Sequence, residues 1–240
     1  MPEPTLHQRR VLSLVFVAAI GVALAAWAVT YTPIFRADHI RVMGAATLGP
    51  AAVRELAGID GSTNVVHVDT DAVAARLTAD PWIASATVDR DLPSTLVVRV
   101  VERKPVAVVA AMADPTVLAS DGTLLPARDP RPALPTMHAA IGEPDESQRV
   151  AAADLLTSLD PVVLQRVRAI TVGQDGVVTM TLRGGATVDT GVAGDEPAKA
   201  AALRAVLRWS ATQHHDLTSI DVSAPDAPSA TLADGSTVTP

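Results

Sequence analysis

The sequence has no cysteine, very few aromatic residues and a negative net charge, and each of these features argues against a class of structure or ligand. Without cysteine there is no disulfide framework. Aromatic residues make up only 2% of the chain, which leaves little for base stacking or for the platforms that hold sugars. A net charge of −7 argues against nucleic-acid binding, because such binding needs positive charge to displace the counterions of the phosphates.

The chain is instead rich in hydrophobic residues, at 48%, with 19% charged residues. This balance predicts a folded core rather than disorder. No G-x-S-x-G elbow, H-E-x-x-H helix or phosphate-binding glycine loop occurs in the sequence. We therefore expect no catalytic residues, no cofactor, no metal site and no small-molecule substrate.

Two histidine-containing stretches were the candidates for a metal or catalytic site, and both have a plainer interpretation. Residues 67–71, His-Val-Asp-Thr-Asp, are typical of a strand end followed by a helix cap at Asp69 or Thr70. A metal site would need ligands from a second element, and the sequence signals none. His214 and His215 follow a predicted helix, where a histidine complements the helix dipole.

Residues 11–31 contain no charged residue and are mostly apolar. As a helix this run would reach about 31 Å, close to the hydrocarbon thickness of a bilayer. Arg9 and Arg10 precede it, so the positive-inside rule places residues 1–10 in the cytoplasm and the rest of the chain outside. The alternative is a signal peptide cleaved after Ala23-Leu24-Ala25, but the apolar run continues through Val29, which favours an uncleaved anchor.

Beyond this run the patterns predict a first region of strand, two helices and two strands. The predicted elements are a strand over 34–43, helices over 50–58 and 71–78, and strands over 83–90 and 95–101.

From residue 106 onward the patterns predict a region rich in strands. Its clearest elements are an Asp121-Gly122 hairpin, helices over 146–159 and 195–212, a meander over 167–190 and a strand over 217–223. Residues 226–240 form either a hairpin arm around Asp234-Gly235 or a loose tail.

The stretch from Pro81 to Val106, PWIASATVDRDLPSTLVVRVVERKPV, combines a Pro-Trp start, two strands, a Pro-centred turn and a Glu-Arg-x-Pro exit. It resembles the POTRA domain of the FtsQ/DivIB family of bacterial cell-division proteins, and the later region resembles the same family more weakly. Because Pro-Trp begins the sheet after the second helix, Trp82 is predicted to pack in the POTRA core, with a ligand-binding role as the alternative. Glu-Arg-x-Pro is the family's signature at the exit of the last POTRA strand, and its plainer interpretation is an ion-pair and proline-turn hinge between two domains. The residues that carry the signature are Trp82, Arg90, Pro93, Glu102, Arg103 and Pro105.

The resemblance also implies an α+β fold with five parts along the chain. These are a cytoplasmic tail (1–10), a transmembrane helix (11–31), a β-α-α-β-β POTRA domain (34–105), a β-rich domain with flanking helices (106–226) and a C-terminal arm or tail (227–240).

As a function, the resemblance implies a non-catalytic scaffold of the divisome in the cytoplasmic membrane, concentrated at the septum. It would dock FtsB-like and FtsL-like partners and so influence septal peptidoglycan synthesis. The docking site would be a free sheet edge near the C-terminus that pairs with a partner strand; an internal strand without a partner is the alternative. The edge maps to Thr218, Ser219, Ile220, Asp221, Val222, Ser223, Ala224 and Asp226.

Two other functions are alternatives to this one. An exported protein with a POTRA-like module could serve secretion or outer-membrane assembly, but such proteins usually carry several modules or a transmembrane barrel. An extracytoplasmic enzyme would need a convergent polar site, such as a histidine and a carboxylate in one pocket.

Overall fold

The computed structural model describes residues 6–110, 112–128 and 133–240, with side chains from residue 14 onward. Residues 1–5 of the predicted cytoplasmic tail lie outside the described residues. The chain divides into two compact units, Met1–Glu102 and Arg103–Pro240.

The first unit begins with a long helix, α1 (Leu6–Val29), which covers most of the predicted hydrophobic run. Among the residues that the structure describes, no helix combines the length and the apolar character that crossing a membrane requires. After α1 the chain makes a turn at Thr30 and Tyr31 and a short 3-10 helix at Pro33–Phe35. The predicted strand over 34–43 is therefore wrong at its start, because Pro33 sits at the first position of a helical turn, which it favours.

The rest of the first unit has the predicted order of strand, two helices and two strands. Its elements are β1 (His39–Met43), α2 (Gly49–Ala57), α3 (Thr70–Thr78), β2 (Ile83–Asp91) and β3 (Thr95–Glu102). The strands form one sheet in the order β1-β3-β2, with β1 parallel and β2 antiparallel to β3.

Residues at the ends of the helices of this unit determine where these helices begin and end. Asp69 caps α3 by accepting hydrogen bonds from the N–H groups of Asp71 and Ala72, at 3.1 and 3.0 Å. Gly58 ends α2 at a φ of 60°, a left-handed conformation that glycine adopts without strain. The helices pack against the sheet through fully buried side chains, which stabilise it by about 1.5–3 kcal/mol each for residues of leucine size. These include Val53, Val73, Leu77, Leu96 and Val98.

In the described residues of the second unit, ten strands form a single sheet with three helices packed against it. The strands before the first of these helices are β4 (Pro105–Val109), β5 (Thr116–Ala119), β6 (Leu124–Pro126) and β7 (Thr136–Ala139). The helices α4 (Glu146–Ser158) and α5 (Pro161–Arg166) follow. The remaining elements are β8 (Val167–Val172), β9 (Val177–Leu182), β10 (Thr187–Val192), α6 (Glu196–Gln213), β11 (Leu217–Asp221), β12 (Ser229–Leu232) and β13 (Thr237–Val238).

The order of strands in this sheet is β13-β12-β11-β10-β9-β8-β7-β4-β5-β6. Most neighbours are antiparallel, but β7 runs parallel to both β4 and β8, and β10 runs parallel to β11. The crossover from β10 to β11 passes through α6, as a parallel pair requires. One apolar core joins the helices to the sheet, and its largest fully buried members include Met137, Leu155, Leu156, Ile170, Met180, Leu203 and Ile220.

Candidate functional site at the terminal sheet edge and the junction

The segment predicted to be a free edge lies inside the sheet. β11 pairs with β10 on one side, where Ile220 is in register with Val188, and with β12 on the other, where Ile220 is in register with Ala230. The prediction of a free edge at β11 is therefore wrong. The physical reason is that the chain after Asp226 folds back as a further strand and satisfies the outer hydrogen-bonding groups of β11.

The side chains of the predicted segment fall into two groups. Ile220 and Val222 are buried in the core, at 1% and 0% exposure, and so present no surface to a partner. Ser219 is half-buried. The remaining residues are exposed along β11 and in the connection to β12: Thr218, Asp221, Ser223, Ala224 and Asp226.

The actual end of the sheet is the hairpin of β12 and β13. Its turn contains Gly235 at a φ of 86° and is closed by a hydrogen bond from the N–H of Leu232 to the carbonyl of Ser236, at 2.8 Å. Asp234 accepts hydrogen bonds from the hydroxyl and the N–H of Ser236, at 2.7 and 2.9 Å, and these lower the pKa of its carboxyl.

The register of this hairpin determines which groups face outward. Because Leu232 and Ser236 form a hydrogen-bonded pair, the next such pair is Ala230 with Val238, and the pair of Thr231 with Thr237 between them is not hydrogen-bonded. The N–H and C=O of Thr237 therefore point away from β12, toward the edge of the sheet. Thr237 is not among the residues predicted from the sequence, although the Asp234-Gly235 turn indicated the hairpin.

The junction between the two units is formed by adjacent residues with separate anchors. Glu102, at the end of β3, accepts hydrogen bonds from the N–H groups of Thr47 and Leu48 just before α2, at 2.7 and 2.8 Å. Arg103 donates to the carboxylate of Asp121 in the β5–β6 turn, at 2.7 Å. Partial burial raises the pKa of Asp121, but the hydrogen bonds from Arg103 and Thr123 lower it by more, so this pKa lies below its ordinary value.

The other residues of the predicted signature occupy structural positions. The Trp82 side chain is buried, at 3% exposure. Arg90 donates to the carbonyl of Val68 at 2.6 Å, which ties β2 to the segment before α3. Pro93 follows a cis peptide bond in the turn between β2 and β3, and Pro105 begins β4.

His67, from the first of the two histidine stretches, joins the end of α1 to the body of the first unit. The hydroxyl of Thr30 lies 2.9 Å from its Nε2, and the ring of Tyr31 stacks on its ring at 4.2 Å. Asn64 donates to the carbonyl of Thr30 at 2.8 Å. Among the described residues, no group of three histidine or acidic side chains is placed to hold a metal ion.

The second histidine stretch ends α6. His214 adopts the left-handed conformation at the C-cap, with a φ of 57°, and His215 lies beside Trp209 with ring centroids 5.1 Å apart. These contacts match the plainer interpretation of the stretch as a helix end.

Two family models match the chain, one to each unit. The model of the POTRA domain, FtsQ-type, matches residues 35–103, and that of the cell division protein FtsQ/DivIB, C-terminal, matches residues 107–223. A solved structure of the major extracytoplasmic domain of the division protein DivIB from Geobacillus stearothermophilus is 20% identical, covering 38% of this chain and 79% of that one. Its TM-score of 0.31 is too low to support an inference about the fold.

Several cell division proteins named FtsQ resemble the chain over most of its length. The protein of Mycolicibacterium smegmatis is 34% identical over 95% of this chain and 67% of its own length. That of Mycobacterium tuberculosis is 31% identical, over 92% and 68%. That of Streptomyces collinus is 32% identical, over 92% and 88%. The chain therefore belongs to the FtsQ/DivIB family of cell-division proteins.

Proposed function

We propose that the chain is a non-catalytic scaffold of the divisome that captures a strand of an FtsB-like partner, itself paired with an FtsL-like protein, at the terminal edge of its ten-stranded sheet. Through these partners it would influence septal peptidoglycan synthesis. The observation that carries the proposal is the outward-facing backbone of β13, at the end of a large and well-packed sheet. The match of residues 107–223 to the FtsQ/DivIB model favours this role over the secretion alternative.

The terminal edge has the properties that strand addition needs. An edge strand offers unpaired N–H and C=O groups, and proteins usually block such edges with very short strands, charges, prolines or bulges. β13, Thr237–Val238, is only two residues long, but it carries no charged residue and no proline. A partner strand could therefore extend the sheet with main-chain hydrogen bonds, and nearby side chains would supply specificity.

In this proposal the segment 218–226 is not the edge that pairs with the partner strand. It supplies side chains next to that edge. Its exposed residues, such as Asp221, Ser223 and Asp226, would contact the partner beside the added strand. Ile220 and Val222 would act by holding β11 in the core, and thus by supporting the hairpin.

We propose further that residues 11–31 anchor the chain in the cytoplasmic membrane, with residues 1–10 in the cytoplasm and both domains outside. The run has no charged residue. Several apolar side chains of α1 are 60% or more exposed, as is typical of a surface that contacts a membrane or another protein. They are Leu14, Val15, Phe16, Val17, Val22 and Leu24. Anchoring at the septum would raise the effective concentration of the edge near its partners.

The proposed domain bounds are 34–105 for the POTRA domain, which would help to place the protein at the septum, and 106–226 for the β domain. Glu102, Arg103 and Pro105 would form the hinge between them. The separate anchors of Glu102 and Arg103, one in each unit, support a junction at this point.

The test uses two substitutions at one edge residue in the full chain. Thr237→Pro removes the outward N–H, whereas Thr237→Ala keeps it and removes only the side chain. We expect the proline variant to weaken binding of the FtsB-like and FtsL-like proteins of the same organism by at least about tenfold. The alanine variant should bind within about threefold of the parent. Equal binding by all three, with unchanged circular dichroism, would move the site away from this edge.

Proline substitutions at Ile220 or Val222 cannot test strand addition, because both residues are buried and β11 is paired on both sides. A loss of binding there would report a broken sheet rather than a lost contact.

A further inference from the structure

Three depressions of about 160, 130 and 490 Å³ lie along α6, on the side that faces α5. The first two share Asp160 and Arg204 in their walls, and the last two share Arg166 and Leu207. Neighbouring depressions thus share walls, and we call the three together the groove; their lining residues run from Pro197 at the start of α6 to Leu217 beyond its end. The 18 residues of α6 correspond to a length of about 27 Å.

The middle of this groove is apolar and accessible. Val162 is 67% exposed, although it is a large aliphatic side chain. Ala211 is exposed beside it, and Leu207 and Val163 lie buried below. Val162 and Ala211 thus form a short apolar strip with polar side chains around it.

The surround is basic, unlike the rest of the unit. Residues 103–240 contain eleven basic and sixteen acidic residues, for a net charge of −5. The groove nevertheless has four exposed arginines in its walls: Arg166, Arg183, Arg204 and Arg208.

The carboxylates in the groove neutralise these arginines only in part, through an ion pair of Asp160 with Arg204. Asp160 is engaged at the N-terminus of α5, where it accepts from the N–H groups of Val162 and Val163, at 3.0 Å each. Arg204 lies 4.0 Å from it, and Asp216 is the other carboxylate that lines the groove. Within the described part of the chain, the guanidinium groups of Arg166 and Arg208 have no hydrogen-bond or ion-pair partner.

We infer that this groove binds an acidic amphipathic α-helix of a partner protein. Its length suits several helical turns, its apolar strip suits the apolar face of such a helix, and its arginine walls suit glutamate and aspartate on the helix flanks. The inference concerns a surface separate from β13, and it does not rest on the proposed strand addition.

The probe is a labelled peptide of three heptads, about 21 residues, with leucine at the a and d positions and glutamate at most others. Its controls are a scrambled peptide of the same composition and a peptide with lysine in place of glutamate. Binding to the full chain, held in nanodiscs of zwitterionic lipid, is followed by fluorescence anisotropy.

We expect the acidic amphipathic peptide to bind at least about tenfold more tightly than either control peptide. Arg204→Glu with Arg208→Glu should weaken its binding by at least about tenfold, and Val162→Ser should weaken it by about three- to tenfold. Arg41→Glu with Arg76→Glu makes the same change in net charge on exposed residues of the first unit, and should change binding by less than about threefold.

Three results would overturn the inference. One is no binding of the acidic peptide, and another is equal binding of the scrambled peptide, which would indicate charge attraction without a groove. The third is an equal loss of binding in both double variants. A further arm adds vesicles of equal parts phosphatidylcholine and phosphatidylglycerol. If these displace the peptide from the parent chain but do not bind the Arg204→Glu, Arg208→Glu variant, the groove is a lipid site and the inference is wrong.

Discussion

The carboxylate of Glu102 accepts a hydrogen bond from the backbone N–H of Leu48, across 54 positions of sequence, at 2.8 Å. It accepts a second from Thr47, so that the last residue of β3 fixes the start of α2. The next residue, Arg103, begins the second unit and donates a hydrogen bond to Asp121 of that same unit. Two neighbouring residues are thus tied to two different units, and the Glu-Arg pair in the sequence marks the point where one unit ends and the next begins.

The first prediction concerns Glu102. Glu102→Ala leaves the N–H groups of Thr47 and Leu48 without their acceptor, so we expect the first unit to lose about 1–2 kcal/mol of unfolding free energy. Urea denaturation of the full chain measures this loss. Glu143→Ala is the matched control, because Glu143 is exposed and has no side-chain partner among the described residues. An equal effect of both variants would show that the contact of Glu102 with the α2 start contributes nothing.

The second prediction concerns the pH dependence of the Arg103–Asp121 ion pair. The pKa of Asp121 is lowered in the folded chain, so the unfolded chain takes up this proton first, and the stabilisation is lost as the pH falls through the folded pKa. We expect Asp121→Asn to lower the Tm at pH 7 by up to about 4 °C. The difference from the parent should shrink as the pH falls through the folded pKa of Asp121, which lies below the ordinary value of an aspartate.

Thermal scans between pH 7 and pH 2 check this pH dependence. Asp114→Asn, at an exposed site, serves as the control. A difference between the parent and Asp121→Asn that persists unchanged at the lowest pH would contradict the assignment to the charged pair.

The third prediction concerns Gly44, which follows β1 at a φ of 87°. A Cβ at this position would overlap the carbonyl oxygen of Val100 in the neighbouring strand. We expect Gly44→Ala to destabilise the first unit by at least about 2 kcal/mol. Gly61→Ala should stay within about 0.5 kcal/mol of the parent, because a Cβ there meets no atom within 4 Å. Equal unfolding free energies for the two variants would contradict the close approach.

The fourth prediction concerns the contact between α1 and the first unit. Tyr31→Ala removes the ring that stacks on His67, so amide exchange over residues 30–37 should become about three- to tenfold faster. Tyr31→Phe keeps the stacked ring, and should exchange like the parent. Unchanged exchange in the alanine variant would mean that the stack does not hold the end of α1.

The elements that the sequence predicts are those with local signals. Gly58 ends a helix because it can adopt a positive φ, and Asp69 begins one because its side chain reaches the N–H groups that follow. The Asp234-Gly235 turn indicated a hairpin for the same local reason. In each case the residue determines the geometry of its neighbours within a few positions.

The features that the sequence does not predict depend on distant pairing. The parallel register of Val188 with Ile220 joins strands on either side of an 18-residue helix, and periodicity within either strand does not encode it. The same limit led to the wrong prediction of β11 as a free edge, because its pairing with β12 requires the chain to return after Pro228. The pattern of buried and exposed side chains within β11 does not show that both of its edges are paired, because both partner strands are distant in sequence.

The most direct test of strand addition is residue-resolved amide exchange at Thr237 in the full chain, with and without the FtsB-like partner. In the free chain this N–H points away from β12, so it should exchange rapidly. If a partner strand pairs with β13, saturation with the partner should slow its exchange by at least about tenfold, while exposed turn amides such as that of Gly184 stay unchanged. Unchanged exchange at Thr237 under saturating partner would contradict strand addition at this edge.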